Sequence, residues 1–325
     1  MGSDLLFIVF VIFIAYVFDF INGFHDAANS IATIVTTGVL TPRQAVLWAA
    51  FFNLIAFVFF NLMVAKTIGS GLIESEAVNA NLILSALLGA IFWNLITWYH
   101  GLPSSSSHAL IGGLAGAALV KNGFGALIAS GFIKVAMGIF IYPTVGIFLG
   151  FLLALACNAL LKKYSEQQLN KLFTFFQLLS SAFLSLTHGG NDAQKTMGII
   201  AILLFSSHLL GDTFYVPFWV VISCQLVISL GTLFGGWRIV NTMGRQITEL
   251  NRMRACAAET AAASMIFAAT EYGIPVSTTH TVTGAIVGVG LAKARWGILR
   301  RIFFSWLLTV PMAGLLAATI RFLFL

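Results

Sequence analysis

Gly101-Leu-Pro-Ser-Ser-Ser-Ser-His108 recurs as Gly273-Ile-Pro-Val-Ser-Thr-Thr-His280, and both copies lie inside strongly apolar sequence. The two align without a gap for nineteen residues, 101–119 against 273–291. An acidic motif precedes each copy, Gly23-Phe-His-Asp26-Ala and Gly189-Gly-Asn-Asp192-Ala. Asp26 stands 82 residues before His108, and Asp192 stands 88 before His280. A chain that carries hydroxyls, histidines and carboxylates twice, buried in hydrophobic sequence, is expected to fold as two facing half-sites. Internal repeats of this kind build secondary transporters.

Composition fixes the solvent. Of 325 residues, 59% are hydrophobic and 9% charged, and the mean hydropathy is +0.97. Soluble domains carry about 25% charged residues, so this chain lacks the polar surface to face water and must face lipid. Thirty Phe suit lipid-facing surface, and thirty Gly suit close helix contacts. The first apolar run starts at Leu5 without a basic leader or a small-residue cleavage site, so it is expected to stay as a membrane helix. Cys157, Cys224 and Cys256 have neither metal-binding nor disulfide spacing. The net charge of +6 gathers in short loops, where the positive-inside rule places it; nucleic acid is not expected as a partner.

Apolar spans fall at 4–20, 44–68, 82–100, 125–161, 172–186, 216–236, 259–272 and 302–325. Between them the motif segments 21–40, 101–120, 187–210 and 273–292 are apolar but interrupted by Gly, Pro and polar residues. Segments flanking Pro103 and Pro275 are short for the roughly 20 residues a spanning helix needs. They are expected to be half-helices or re-entrant hairpins whose broken backbone lines a polar cavity. The expected fold is therefore an all-α polytopic membrane protein with an inverted repeat and broken helices meeting near the bilayer midplane.

Charge supplies the inversion. The loop 237–258 holds Arg238, Arg245, Arg252 and Arg254 against Glu249, whereas its counterpart 69–81 holds Glu74 and Glu76 and no base. Likewise 293–301 carries Lys293, Arg295, Arg300 and Arg301, while 121–124 has Lys121 alone. Opposite bias in equivalent loops predicts opposite topology of the two halves, 1–161 and 172–325. The central loop 162–171, with Lys162, Lys163 and Lys171 against Glu166, then lies in the cytoplasm and both termini lie outside.

The site follows from the motifs. Proline is tolerated in a helix's first turn, so Pro103 and Pro275 are each expected to open a half-helix. The hydroxyls behind them, Ser105, Ser106 and Ser107 in one half and Ser277, Thr278 and Thr279 in the other, join free N–H groups at a helix N-terminus. That combination holds small oxyanions. A carboxylate at the bilayer centre costs about 2.5–3.5 kcal/mol, so Asp26 and Asp192 are functional candidates. Since a carboxylate repels an anion, they are assigned to the coupling cation. Asn29, Ser30 and Thr33 follow Asp26, and Asn191, Gln194 and Thr196 surround Asp192, all oxygen ligands of the kind hard cations prefer. Gln194 and Lys195 are further candidates for the anion, and Glu259, ahead of the second hydroxyl run, for the cation. His25, His108 and His280 are candidates for a proton relay. The Gly112/Gly116, Gly146/Gly150 and Gly284/Gly288 pairs are expected to be packing notches, and the tryptophans interfacial belts.

These residues closely resemble the inorganic phosphate transporter (PiT) family, and in particular its compact bacterial members. The resemblance rests on Gly23-Phe-His-Asp-Ala-Ala-Asn29, His188-Gly-Gly-Asn-Asp-Ala-Gln-Lys195 and the two Gly-φ-Pro motifs, in order along essentially the whole chain. It implies uptake of inorganic phosphate across a bacterial plasma membrane, with Na⁺ or H⁺ as coupling ion and no organic cofactor. Ser105–Ser107 and Ser277–Thr279 would hold phosphate, and Asp26, Asn29, Asn191 and Asp192 the cation. The partners it implies are phosphate, the cation and the lipid bilayer, with a homodimer as one oligomeric option. Two departures, His25 where many sodium-coupled members have Asn and Asn53 where members often have an acid, favour protons or a neutral metal–phosphate cargo. The alternatives are a sulfate permease of the same fold and an intramembrane metalloenzyme using His25, His108, His188 and His280. Against the enzyme, the chain has no His-Glu-x-x-His spacing.

Overall fold

The computed structural model describes residues 2–325. Twelve α-helices carry nearly all of them, and among the described residues the only β-type pairing is the isolated bridge between Ile73 and Leu127. The first half contains α1 (Gly2–Thr36), α2 (Pro42–Ile55), α3 (Met63–Ser70), α4 (Ala80–Tyr99), α5 (Ser106–Asn122) and α6 (Ala129–Leu160). The second contains α7 (Glu166–Ser206), α8 (Phe218–Phe234), α9 (Trp237–Asn241), α10 (Arg252–Glu271), α11 (Thr278–Val289) and α12 (Trp296–Phe324). By length and composition, five helices can cross a membrane, and seven if the bent pairs α2–α3 and α8–α9 each cross once. Those pairs bend by 81° and 62°.

Two apolar cores lie on either side of a polar layer. α1 gives Phe18 to one core and then Ile31 to the other, with Asn22, Asp26 and Asn29 between. α7 visits the same cores in the reverse order, Leu184 first and Met197 second, with His188, Asp192 and Lys195 between. α4 and α5 pack in the first core, and their counterparts α10 and α11 in the second. Matching elements thus run oppositely through one molecule, which is the inverted repeat expected from charge bias.

The halves are interlocked rather than adjacent. α5 packs on α12 and α6 on α11; α1 packs on α8, and α2 and α3 on α7. The expected notches make these contacts possible. A Cβ on Gly116 would stand 2.0 Å from the Gly314 carbonyl oxygen, and one on Gly288 would stand 2.1 Å from that of Ile147.

Several expected boundaries move. The spans 4–20 and 172–186 do not end before their motifs but continue through them as α1 and α7, because a polar layer inside protein needs no break in the helix. The central loop expected over 162–171 is shorter, since Ser165 and Gln168 form a capping box that starts α7 at Glu166. The loop expected over 237–258 is largely helical, with α9, a π turn over Thr242–Gln246 and the start of α10. Two tryptophans leave the expected belts. Trp93 is buried, and Trp306 donates from Nε1 to the Pro103 carbonyl at 2.9 Å while its ring stacks on His280, centroids 3.8 Å apart.

Candidate functional site

Each Gly-φ-Pro-x-Ser string stops one helix and starts the next. Gly101 and Gly273 adopt φ of 64° and 66°, a left-handed conformation that glycine enters without Cβ strain. Their N–H groups bond the Trp98 and Thr270 carbonyls at 2.9 and 3.0 Å. Leu102 and Ile274 then donate to the Thr97 and Ala269 carbonyls at 2.9 and 2.8 Å, completing a Schellman stop. The prolines do not open the following helices as expected. Pro103 and Pro275 lie in the connecting turns, and Ser105 and Ser277 are the N-caps, accepting from the His108 and His280 N–H groups at 3.2 Å each. Ser105 and Ser277 therefore position the expected anion-binding turns with their oxygens, leaving Ser106, Ser107, Thr278 and Thr279 to face the polar layer.

The turns are held from the opposite half. Thr67 of α3 donates to the Gly273 carbonyl at 2.8 Å, and Thr242, following α9, donates to the Gly101 carbonyl at 2.8 Å. Each threonine also reaches back one helical turn, Thr67 to Met63 at 3.1 Å and Thr242 to Arg238 at 3.3 Å.

In the polar layer the hydroxyls converge on the two aspartates. Ser106 Oγ donates to Asp26 Oδ2 at 2.7 Å and to Asn22 Oδ1 at 2.6 Å. Thr278 Oγ1 donates to Asp192 Oδ2 at 3.1 Å, and Thr279 Oγ1 to Asp26 Oδ1 at 3.4 Å. Asn29 Nδ2 donates to Thr278 and Thr279 at 3.2 and 3.0 Å. Lys195 binds Asp192 on its own helix, Ser107 on the first turn, and the Val276 carbonyl on the second at 2.9 Å. Asp26, His188 and Asp192 each offer a ligand atom within 4.8 Å of the others. Asp26, Asp192 and Lys195 are all buried. Buried charges persist where partners replace the lost water, and this cluster supplies them from both halves.

His25 extends the cluster. Its Nδ1 lies 2.6 Å from Asp26 Oδ1 and its Nε2 3.2 Å from Thr97 Oγ1. Thr97 Oγ1 also lies 3.1 Å from both the Trp93 and the Asn94 carbonyl oxygens. The Nδ1–Oδ1 contact sets the imidazole directly against the carboxylate, within hydrogen-bond reach.

Some candidates lie elsewhere. Gln194 is fully committed to backbone: Oε1 accepts from Val64 and Ala65 at 3.0 and 3.2 Å, and Nε2 donates to Asn61 and Gly190 at 2.8 and 2.7 Å. It caps the start of α3 and does not face the hydroxyls. Asn191 donates to Thr270 Oγ1 at 2.8 Å, bracing the second hairpin from behind. Glu259 accepts from Gln177 at 3.1 Å and from Ser180, in a separate buried cluster. Gln177 precedes Asp192 by fifteen residues of α7, roughly 22 Å at 1.5 Å per residue, so Glu259 is not part of the central cluster. His108 and His280 face each other with ring centroids 4.7 Å apart, between the two half-helices.

Three buried residues of the layer were not anticipated. Asn22 shares Ser106 with Asp26, Asp19 accepts from Thr196 at 2.8 Å, and Thr97 holds His25. Asp19, an acid inside an otherwise apolar stretch of the first span, carried the clearest unused signal, since intramembrane acids are functional by default.

Continuous apolar helices, paired hairpins and a buried charge cluster shared by both halves define a multi-pass membrane transporter. The chain belongs to the phosphate transporter family, which residues 22–317 match. It is 55% identical over 319 residues to a protein of Rhizobium meliloti (strain 1021) named "Probable low-affinity inorganic phosphate transporter", covering 97% of this chain and 96% of that one. A Bacillus subtilis (strain 168) protein of the same name is 41% identical, covering 98% and 97%. A solved structure described as "The sodium-dependent phosphate transporter" superposes with a TM-score of 0.87 at 26% identity, covering 98% of both chains. The relatives are named as transporters, which removes the intramembrane metalloenzyme.

Proposed function

We propose that the protein takes up inorganic phosphate across a bacterial plasma membrane by cation symport. In this reading 1–161 and 172–325 act as inverted halves, phosphate binds between the N-termini of α5 and α11, and the cation binds at Asp26 and Asp192. The observation that carries it is the shared use of hydroxyls: Ser106 and Thr278 sit at the expected anion turns, yet both donate to the aspartates.

A hydroxyl has one proton to donate. While Asp26 and Asp192 are bare carboxylates, they compete with phosphate for Ser106, Thr278 and Thr279 and also repel it. A cation on the carboxylates removes the repulsion and releases the hydroxyls to turn toward the anion. Lys195, touching both turns, supplies a fixed positive charge beside phosphate. Binding of one ion thereby favours the other, which is the coupling a symporter needs.

The proton is the favoured coupling ion on the geometry of His25, whose Nδ1 lies 2.6 Å from the Asp26 carboxylate. The alternative is sodium, supported by the described property of the solved relative and by the carboxylate and amide oxygens of Asp26, Asn29 and Asp192, a donor set suited to a hard cation. His188 beside both acids adds a nitrogen donor, which keeps a metal–phosphate cargo in view. No organic cofactor takes part. The test is uptake of labelled phosphate into proteoliposomes with pH and sodium gradients imposed separately. Accumulation driven by the pH gradient alone supports proton coupling; accumulation that requires sodium overturns it in favour of sodium, and accumulation under neither overturns symport.

A further inference from the structure

A cavity of about 300 Å³ opens beside the turn that joins α4 to α5. Its floor is Gly101–Leu102, and its walls carry His100 from the end of α4, Arg238 and Asn241 from α9, and Arg301 from α12. Among the described residues no carboxylate lines it. Arg301 has no hydrogen-bond or ion-pair partner there. Arg238 is fixed in place: Nη1 donates to the Tyr99 carbonyl at 2.5 Å, and the guanidinium lies over the Trp98 and Tyr99 rings at 5.2 and 4.8 Å. That posture uses one of five N–H donors and leaves the rest to a ligand.

Loop arginines are placed on one face by membrane orientation; here two of them, from different elements, also line one cavity that no carboxylate among the described residues enters. The opposite turn shows what packing requires. Gly273 sits against Met63, four residues before its Thr67 latch, just as Gly101 sits against Arg238, four residues before Thr242. An apolar side chain satisfies the same contact, so packing at this turn does not require the charge of Arg238. Planar guanidiniums with several parallel donors match the paired oxygens of a phosphate group, as they match those of a carboxylate.

We propose that this cavity is a second binding site, distinct from the central cluster, for a phosphate-group anion. Arg238 and Arg301 hold its charge and His100 and Asn241 complete its rim. The anion is either free phosphate at one mouth of the transport path or the headgroup of an anionic lipid; its identity as free phosphate rests on the transport reading above. Bound there, it bridges α9 and α12 over the turn that Thr242 pins, and so steadies the serines two to five residues beyond Leu102.

The test uses the full-length protein in phosphatidylcholine nanodiscs and equilibrium dialysis of labelled inorganic phosphate. Wild type is expected to bind two phosphates per chain, and Arg301→Gln to weaken one of them about tenfold, the effect of losing a charge-assisted contact. Arg301→Lys, which keeps the charge but not the fork, should fall between, provided thermal unfolding shows all variants folded. The doubly substituted Ser106→Ala/Thr278→Ala protein should lose the other phosphate. In discs containing phosphatidylglycerol, a headgroup occupant instead appears as a thermal stabilisation that Arg301→Gln removes. If Arg301→Gln changes neither phosphate stoichiometry nor the phosphatidylglycerol response, the cavity site is overturned while the central reading stands. If only the Ser106/Thr278 substitutions are silent, the central reading fails and the cavity site stands.

Discussion

Lys195 on α7 does what Asn29 does on α1: each lies three residues after the motif aspartate of its helix and binds a hydroxyl on the hairpin of the opposite half, Ser107 for Lys195 and Thr278 and Thr279 for Asn29. The repeat has kept the position and the reach while making one copy charged. The polar layer thereby gains one fixed cation against two carboxylates, and the loss of that cation is informative. Lys195→Met should weaken phosphate binding in dialysis more than Asn29→Ala, because it removes a charge beside the anion; equal effects would reduce Lys195 to a structural ion-pair partner.

Ser106 and Thr278 each provide a donor that a charged acceptor values at about 1.5–3 kcal/mol. Ser106→Ala with Thr278→Ala should therefore raise the phosphate concentration needed for half-maximal uptake by more than tenfold. Unchanged affinity in the double variant would show that the turns hold the hairpins together and not the anion.

Asp26→Asn and Asp192→Asn preserve shape and hydrogen-bonding capacity but remove the cation's charge partner. Gradient-driven accumulation is expected to vanish, while phosphate binding at equilibrium changes less. A variant that still concentrates phosphate would move the coupling site away from that aspartate.

His25→Asn removes the ring that lies against the Asp26 carboxylate. Uptake should lose its dependence on external pH and gain a response to sodium. A pH profile that matches the wild type, with no sodium response, would leave His25 as a packing residue.

At Gly116 and Gly288 a side chain would meet backbone at 2.0 and 2.1 Å, and backbone cannot swing aside. Overpacking of well-filled contacts costs about 1–3 kcal/mol or more. Gly116→Val and Gly288→Val should each lower the unfolding temperature in detergent, whereas Gly125→Val, with nothing within 4 Å of its Cβ, should not.

The hairpins were the most legible part of the chain because their instructions are local. A left-handed glycine, a proline and a capping serine fit within five residues, and the repeat showed that they matter. Partner choice was less legible, since Ser106 and Asp26 are 80 residues apart and Asn29 and Thr279 are 250 apart. Gln194 illustrates a local failure. Two residues beyond Asp192 it is turned roughly 200° around the helix, whereas Lys195, at three, comes back to within about 60°. Proximity in sequence suggested a ligand where helical rotation provides a cap for α3. Glu259 failed for the opposite reason: its residue type was informative, but its depth along α10 could not be obtained without knowing which neighbours it met.

The reciprocal latches, Thr67 on Gly273 and Thr242 on Gly101, bear on heredity as much as on mechanics. Neither half contains the threonine that latches the glycine of its own hairpin turn, so a single half made alone would lack that latch and present an incomplete cluster. A chain severed between Leu161 and Ser165 should regain a finished site only when both fragments are produced in the same membrane. The same dependence constrains divergence: a change at Thr67 is felt in the second hydroxyl motif and a change at Thr242 in the first, so the two copies could drift apart in sequence only as mutual partners.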